Sequence, residues 1–353
     1  MRIRDFIALY LAGTLAGFAQ GLPVPQPGQI KDPRAILAEA APFYDFSDLS
    51  LKPFHLKATY QLYDEKGNPA EQGVFEYWWV SPQIYRASWT RPSAKRTDWH
   101  TADGKSAYEA TGEGLSFFEY TLQSALFSPL PKSSELDPAK NRLELHDVKL
   151  GTAKIPCIMV IPVMPQHGRV QVVPLGLFPT YCFDPELPAL RASYSFGTIG
   201  MSFDHIVKTQ ERFLPREIRF YDRKQQILSA EVQMTEGIAP NDPALMPSAA
   251  AVSPKAEKVD LPADAAVARL VKRLVPTYPQ DAKDSRVSGT VVLQAIIGTD
   301  GKIHDLRVVS APWPSLAASS LWAVLQWEYK PYLLNGEPVE VETTINVIYS
   351  LGP

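Results

Sequence analysis

Charge of one sign is what this chain lacks most plainly: 35 Lys and Arg against 38 Asp and Glu leave a formal net charge of −3, with both signs interspersed. That balance excludes the basic field a nucleic-acid groove requires, so no nucleic acid is expected as a partner. Histidine is sparse. His55, His100, His146, His167, His205 and His304 are scattered without paired ligand spacing, and no metal motif is read from them. The nearest approaches, Asp98-x-His100 and Asp204-His205, fit hydrogen-bonding pairs on strands better than zinc ligands. Gly-x-Ser-x-Gly, Ser-x-x-Lys, the P-loop and Gly-x-Gly-x-x-Gly are all missing, which removes the familiar nucleophile and phosphate-cradle chemistries. No catalytic residue, cofactor or metal is therefore expected. A hydrolase ranks last among the readings, because an acid or His cluster would have to converge from distant positions.

Long apolar runs are missing too, except at the start. Arg2 and Arg4 precede an apolar stretch of about 13 residues, Phe6 to Phe18, shorter than the ~20 needed to cross a bilayer. Residues 1–19 read as a signal peptide cleaved after Ala19, in preference to an uncleaved inner-membrane anchor, which sends the chain to the periplasm. No Cys follows the cleavage site, so no lipid anchor is expected. Cysteine is limited to Cys157 and Cys182. An even pair without Cys-x-x-Cys in an exported chain reads as one structural disulfide, closing a loop of about 25 residues and stabilising by roughly 3 kcal/mol.

What is present is a chain of 353 residues, 45% hydrophobic, with 32 prolines, long enough for two domains and suited to strands joined by many loops. Asp32-Pro33 opens a short helix, Asp32 as N-cap. Strands follow: Phe54, Leu56, Ala58, Tyr60 and Leu62 alternate with polar residues, and about ten such segments run to Met234, interrupted by a helical interval from about Leu115 to Phe127. Residues 32–236 are expected as one large curved antiparallel sheet or open half-barrel. The Pro- and Ala-rich stretch 237–262 reads as a linker with a reach of about 80 Å at most.

The last stretch, residues 263–353, carries the sharpest signals. Asp300-Gly301 lies between two alternating runs, a hairpin signature of the type I′ kind, with Ala295 facing Leu306, Leu293 facing Val308 and Ile297 facing His304. Leu316, Ser320, Ala323, Val324 and Trp327 then fall on one helical arc. Asn335-Gly336 makes a turn, and Val339 to Tyr349 alternate as a half-buried strand.

Pro276-x-Tyr278-Pro279, Gly289-x-Val291, Asp300-Gly301, Ala323-Val324-x-x-Trp327-x-Tyr329-Lys330-Pro331 and Asn335-Gly336-x-Pro338-Val339 together resemble the TonB C-terminal domain family. The resemblance implies a ββαβ domain with a three-stranded antiparallel sheet, giving the whole chain an α+β class. It also implies a periplasmic protein-binding module that captures an extended peptide, from an outer-membrane transporter in the best-known members, along the free edge of its last strand. The corresponding edge here is Glu340 to Tyr349, with Glu340, Glu342, Thr344, Asn346 and Ile348 as the partner-binding set. The chain differs from the energy-coupling members: no His precedes His55, and Val275 stands where they usually carry a polar residue.

Ala58-x-Tyr60-x-Leu62, Gly73-x-Phe75, Trp79-Val80-Ser81-Pro82 and Tyr85-Arg86 are weakly similar to the LolA/LolB lipoprotein-carrier half-barrel. This similarity implies an apolar cavity for a lipophilic ligand, although aromatic residues at strand spacing serve equally as core. Trp322 and Leu325 lie off the helical arc and are expected to pack against the first domain, the linker or a second copy. The leading expectation is an exported binding protein acting by β-strand addition. A lipophilic-ligand carrier is the alternative, and a homodimer formed by strand exchange is also compatible with an open edge.

Overall fold

The computed structural model describes residues 32–150, 153–163, 173–197, 199–253, 259–334 and 337–351. The expected signal peptide, His167 and the Asn335-Gly336 turn lie outside the described residues.

Helix α1 (Pro33–Ala40) begins as its sequence requires, with the Asp32 carboxylate accepting from the Arg34 amide at 2.9 Å. Twelve strands then build one antiparallel sheet. The first five are β1 (Phe54–Tyr63), β2 (Pro69–Ser81), β3 (Ile84–Arg91), β4 (Ala94–His100) and β5 (Ser106–Gly112). After helix α2 (Phe117–Phe127) come β6 (Asn141–Leu150), β7 (Ala153–Pro162), β8 (Thr180–Phe183), β9 (Leu190–Ser195), β10 (Ile199–Thr209), β11 (Arg212–Asp222) and β12 (Gln225–Gly237). Their order is β5-β4-β3-β2-β1-β12-β11-β10-β9-β8-β7-β6. The sheet is thus two meanders that meet where β1 pairs with β12. Strands β5 and β6, consecutive in sequence, end up at opposite edges.

Alternation along β1 to β3 turns Leu56, Ala58, Tyr60, Phe75, Tyr77, Trp79, Ala87 and Trp89 to the inner face, where α2 packs on Tyr60, Tyr77 and Trp89. Helix α2 is fastened there by its own cap. Ser116 and Glu119 form a capping box, and the fully buried Glu119 carboxylate also accepts from the Tyr60 hydroxyl (2.9 Å) and Arg91 Nε (3.0 Å). Trp89 Nε1 donates to the Glu119 carbonyl. A buried charge satisfied on every side fixes the helix to the sheet in one register.

The second sheet has the order β13-β20-β15-β16, from β13 (Val259–Leu261), β15 (Gly289–Ile297), β16 (Ile303–Ser310) and β20 (Val341–Tyr349). Four strands replace the three expected, because residues 259–261 add a parallel strand to β20. Helix α5 (Pro314–Val324) buries Leu316, Ala317, Ser320, Leu321, Ala323 and Val324. Short elements complete the domain: α3 (Ala263–Val267), β14 (Leu270–Lys272) paired with β17 (Glu328–Tyr329), α4 (Gln280–Asp284), and the pair β18 (Tyr332–Leu334) and β19 (Glu337–Val339).

The β15–β16 hairpin keeps Ala295 opposite Leu306 and Leu293 opposite Val308, but Ile297 faces Ile303, not His304. The turn is also longer than a two-residue I′ turn. Gly298 N donates to the Lys302 carbonyl and Gly301 N to the Gly298 carbonyl, and among the loop residues 299–301 only Gly301 has positive φ (77°). This is a three-residue loop closed by a glycine, which lets Thr299 and Asp300 keep ordinary negative φ.

Residues 237–253, expected as linker, are held by the large sheet. Trp99 Nε1 donates to the Ala244 carbonyl, and Val252 and Tyr108 exchange two backbone hydrogen bonds at 2.8 and 2.9 Å. The C-terminal domain is docked as well. Its core of Val291, Leu293, Leu306, Leu316 and Trp327 is continuous with Met159, Ile161, Leu177 and Phe178 of the large-sheet domain.

Candidate partner-binding edge

The last strand, β20, is built to be half-buried. Val341, Thr343, Ile345, Val347 and Tyr349 are buried, whereas Thr344, Asn346 and Ile348 are exposed, Ile348 at 75%. On one side β20 pairs with β15 along its length, from Val341 opposite Ile297 to Tyr349 opposite Gly289. On the other side the expected free edge is partly occupied. Val259, Asp260 and Leu261 pair with Val341, Glu342 and Thr343, Val259 N donates to the Glu340 carbonyl at 3.0 Å, and Thr343 Oγ1 donates to the Leu261 carbonyl at 2.8 Å. Glu340 and Glu342 therefore sit on a stretch the chain has already paired for itself. A strand lacking partners exposes backbone donors and acceptors, and the nearest apolar segment supplied them.

Since Val259 bonds to Glu340, alternation turns the N–H and C=O of the even-numbered residues toward this edge. Beyond Thr343 no further strand pairs there among the described residues. Thr344, Asn346 and Ile348 thus form the uncovered end of the edge. Helix α3, immediately after β13, also packs on β20. Across the outward face, Glu342, Gln294 and Arg307 form a polar ladder over β20, β15 and β16.

The off-arc helix residues have partners. The Trp322 ring lies 4.1 Å beneath the Arg223 guanidinium from the β11–β12 turn. Leu325 is half-buried against the shared core. Cys157 and Cys182 face each other across β7 and β8 and are disulfide-bonded.

A docking contact that sequence reasoning missed involves the hairpin tip. His304 lies against Tyr120 of α2, the rings tilted by 38° with centroids 3.8 Å apart, and its Nε2 lies 3.0 Å from Asp300 Oδ1. Lys302 Nζ donates to the Gly114 carbonyl, and Arg96 Nη1 to Thr299 Oγ1, both at 3.4 Å. Burial alone would raise the Asp300 carboxyl. The hydrogen bond and charge of His304, the Lys302 amide and the Arg96 charge outweigh it and hold the group below its ordinary value. Burial also pushes the Tyr85 hydroxyl up to about 12, assisted by the charges of Asp98 and, from the C-terminal domain, Glu340. The sequence signal was Asp300-Gly301 itself, which explains the turn so well that nothing in it announces a second role.

Among the described residues no cluster of three or more His, Cys, Asp or Glu could hold a metal, and no helix is long and apolar enough to cross a membrane.

Residues 275–351 match the family model described as Gram-negative bacterial TonB protein C-terminal. Among solved structures, a DUF1329 family protein from Desulfovibrio piger is similar at 10% identity and a TM-score of 0.36, over 59% of this chain and 94% of that one. A domain described as outer membrane lipoprotein-sorting, from Vibrio parahaemolyticus, gives 10% and 0.35, over 58% and 94%. A LolA superfamily protein from Nitrosomonas europaea gives 6% and 0.34, over 58% and 93%. Comparison with curated proteins gave no match. Residues 275–351, which fold into β15, β16, α5 and β20 with their short connecting elements, are thus the part of the chain similar to the TonB C-terminal family.

Proposed function

We propose that this chain is a cell-envelope binding protein, working in the periplasm without catalysis, whose C-terminal domain captures a partner by adding the partner's strand to β20. The observation that carries the reading is the row of outward backbone groups at Thr344, Asn346 and Ile348, beyond the point where β13 stops. Main-chain bonds would supply affinity there, and the exposed Ile348 side chain would supply selectivity. An outer-membrane transporter is the partner that the TonB-type domain suggests.

The test is affinity capture from envelope extract with the mature protein and with Asn346→Pro. Proline at 346 removes a donor that points to the open edge, while the pairing with β15 keeps its own. Capture of a transporter by the first and not by the second supports the reading. Identical captured material from both sinks it, and dimerisation abolished by the same substitution would make a second copy of the chain the partner.

A second reading, a carrier of a lipophilic ligand, rests on a cleft of about 390 Å³ between α2 and β2, lined by Tyr44, Phe46, Tyr77, Trp79 and Phe127. Much of the inner face is otherwise filled by Tyr60, Phe75, Trp89, Leu122 and Leu126, each almost wholly buried. Retention of a fluorescent fatty acid by the full chain, unchanged by Asn346→Pro and lost with Ser124→Trp at the cleft mouth, would favour it.

A further inference from the structure

A second cleft, of about 800 Å³, opens where β9, β10 and β11 end beside one another. Its walls include Ser202, Asp204, Arg219 and Tyr221, which alternate along their strands with the core residues Phe203, Ile218 and Phe220. They therefore stand on the outer face, away from α2. The cleft shares no residue with the inner cleft or with β20.

Its shape depends on Gly200. A Cβ there would lie 3.2 Å from a ring carbon of Tyr194, so the absent side chain lets that ring lie close over β10 and leaves the space beside it open. Leu175, Ala192 and the Tyr194 ring give the cleft an apolar end; Ala192 and Tyr194 lie opposite Ser202 and Gly200 on the same face.

The cations are of two kinds. Arg219 lies 3.2 Å from Asp204 and 2.5 Å from Glu217, and Arg191 lies 3.8 Å from Asp204, so their charges are answered within the protein. Arg223 and Lys224 at the mouth are exposed, and among the described residues neither forms an ion pair. Arg223 rests on the Trp322 ring. Stacking uses the face of the guanidinium and leaves N–H donors along its rim for an anion.

We propose that this outer-face cleft binds an anionic amphiphile, with a phosphate or carboxylate head at Arg223 and Lys224 and a slim apolar body over Leu175, Ala192 and the Tyr194 ring. Pocket size, apolar lining and two convergent unpaired cations are the features that small amphipathic anions require.

The turn allows a clean test. Arg223 and Lys224 occupy both central positions between the paired residues Asp222 and Gln225, with φ of 48° and 71°. Asn-Gly is the pair such a turn prefers, so R223N/K224G removes both charges while keeping, even easing, the local backbone. The mature full chain would be titrated calorimetrically with dihexanoylphosphatidylglycerol, its phosphatidylcholine counterpart and glycerol phosphate. Wild type should prefer the anionic amphiphile over each of the other two by about tenfold or more. R223N/K224G should lose that preference, and Ser202→Phe, which fills the cleft, should lose binding while unfolding at an unchanged urea midpoint. No binding by wild type, equal affinity for glycerol phosphate, or an undiminished preference in R223N/K224G would each overturn the proposal.

Discussion

Three outer strands of the molecule treat their open edges differently. Strand β5 of the large sheet has its edge backbone paired, among the described residues, at the Tyr108–Val252 bridge alone. Strand β6 at the far edge carries charge along its length, with Arg142, Glu144, Asp147 and Lys149, a common guard against unwanted pairing. Strand β20 of the small sheet is covered over three residues by β13 and then left with Thr344, Asn346 and Ile348, none of them charged. A guarded edge is one the protein keeps from pairing. An edge guarded by a short segment over a third of its length and uncharged over the rest is suited to pairing selectively.

The comparison can be broken most forcefully in the large sheet. Glu119→Ala leaves the Tyr60 hydroxyl and Arg91 Nε without their acceptor, while Arg91 keeps its pair with Glu71, and should lower stability by about 2–3 kcal/mol, measured by urea denaturation of the full chain. A loss under about 1 kcal/mol would mean that Glu119 does not fasten α2 to the sheet. A smaller effect, about 1–2 kcal/mol, is expected for Val259→Pro, which deletes the donor to Glu340 and weakens β13. Amide exchange at Glu342 should accelerate toward the rate at Thr344, and partner capture should rise. A fall in capture would mean that β13 completes the binding edge and does not mask it.

Acid should act more weakly, through Asp300. Its carboxyl is held below the ordinary value of 3.8 in the folded protein, so its stabilising contribution is complete above that value and is lost as the pH falls through the lower folded value. Docking of the hairpin tip should survive mild acid and loosen only below about pH 4. Asp300→Asn should exchange its β16 amides faster at neutral pH, and the acid-dependent loosening should disappear. The smallest change is expected for Trp322→Glu, about 0.5–1 kcal/mol from the lost cation–π contact. Since Arg223 would then meet a carboxylate, part of that loss should be restored at low salt, which separates a charge effect from a packing effect.

Much of the C-terminal domain was legible because its signals are local. Leu316, Ser320, Ala323 and Val324 share one arc, and Val341 to Tyr349 alternate strictly, so period alone places the core face. The N-terminal cap at Asp32 and the Cys157–Cys182 bond were legible for the same reason: the residue type states its role. Strand β13 was not, since Val259-Asp260-Leu261 is too short to show a period and follows a run rich in Pro and Ala. The docking contact was hidden differently. Arg96, Tyr120 and Asp300 meet only because the chain folds back across nearly two hundred positions, and no spacing rule reaches that far. Trp322 lay between these cases: its misplaced indole announced a contact without saying with what.

Val252, fixed to β5, and Val259, fixed to β20, are seven positions apart, so the chain between them can extend to no more than about 25 Å. That makes the segment a short tether between the two sheets. A partner strand that displaces β13 frees that end of the segment while Val252 stays fixed at Tyr108, so the displaced strand stays within about 25 Å of its anchor. Held so near, β13 competes for the edge at a high effective concentration and would reclaim it whenever a partner strand leaves.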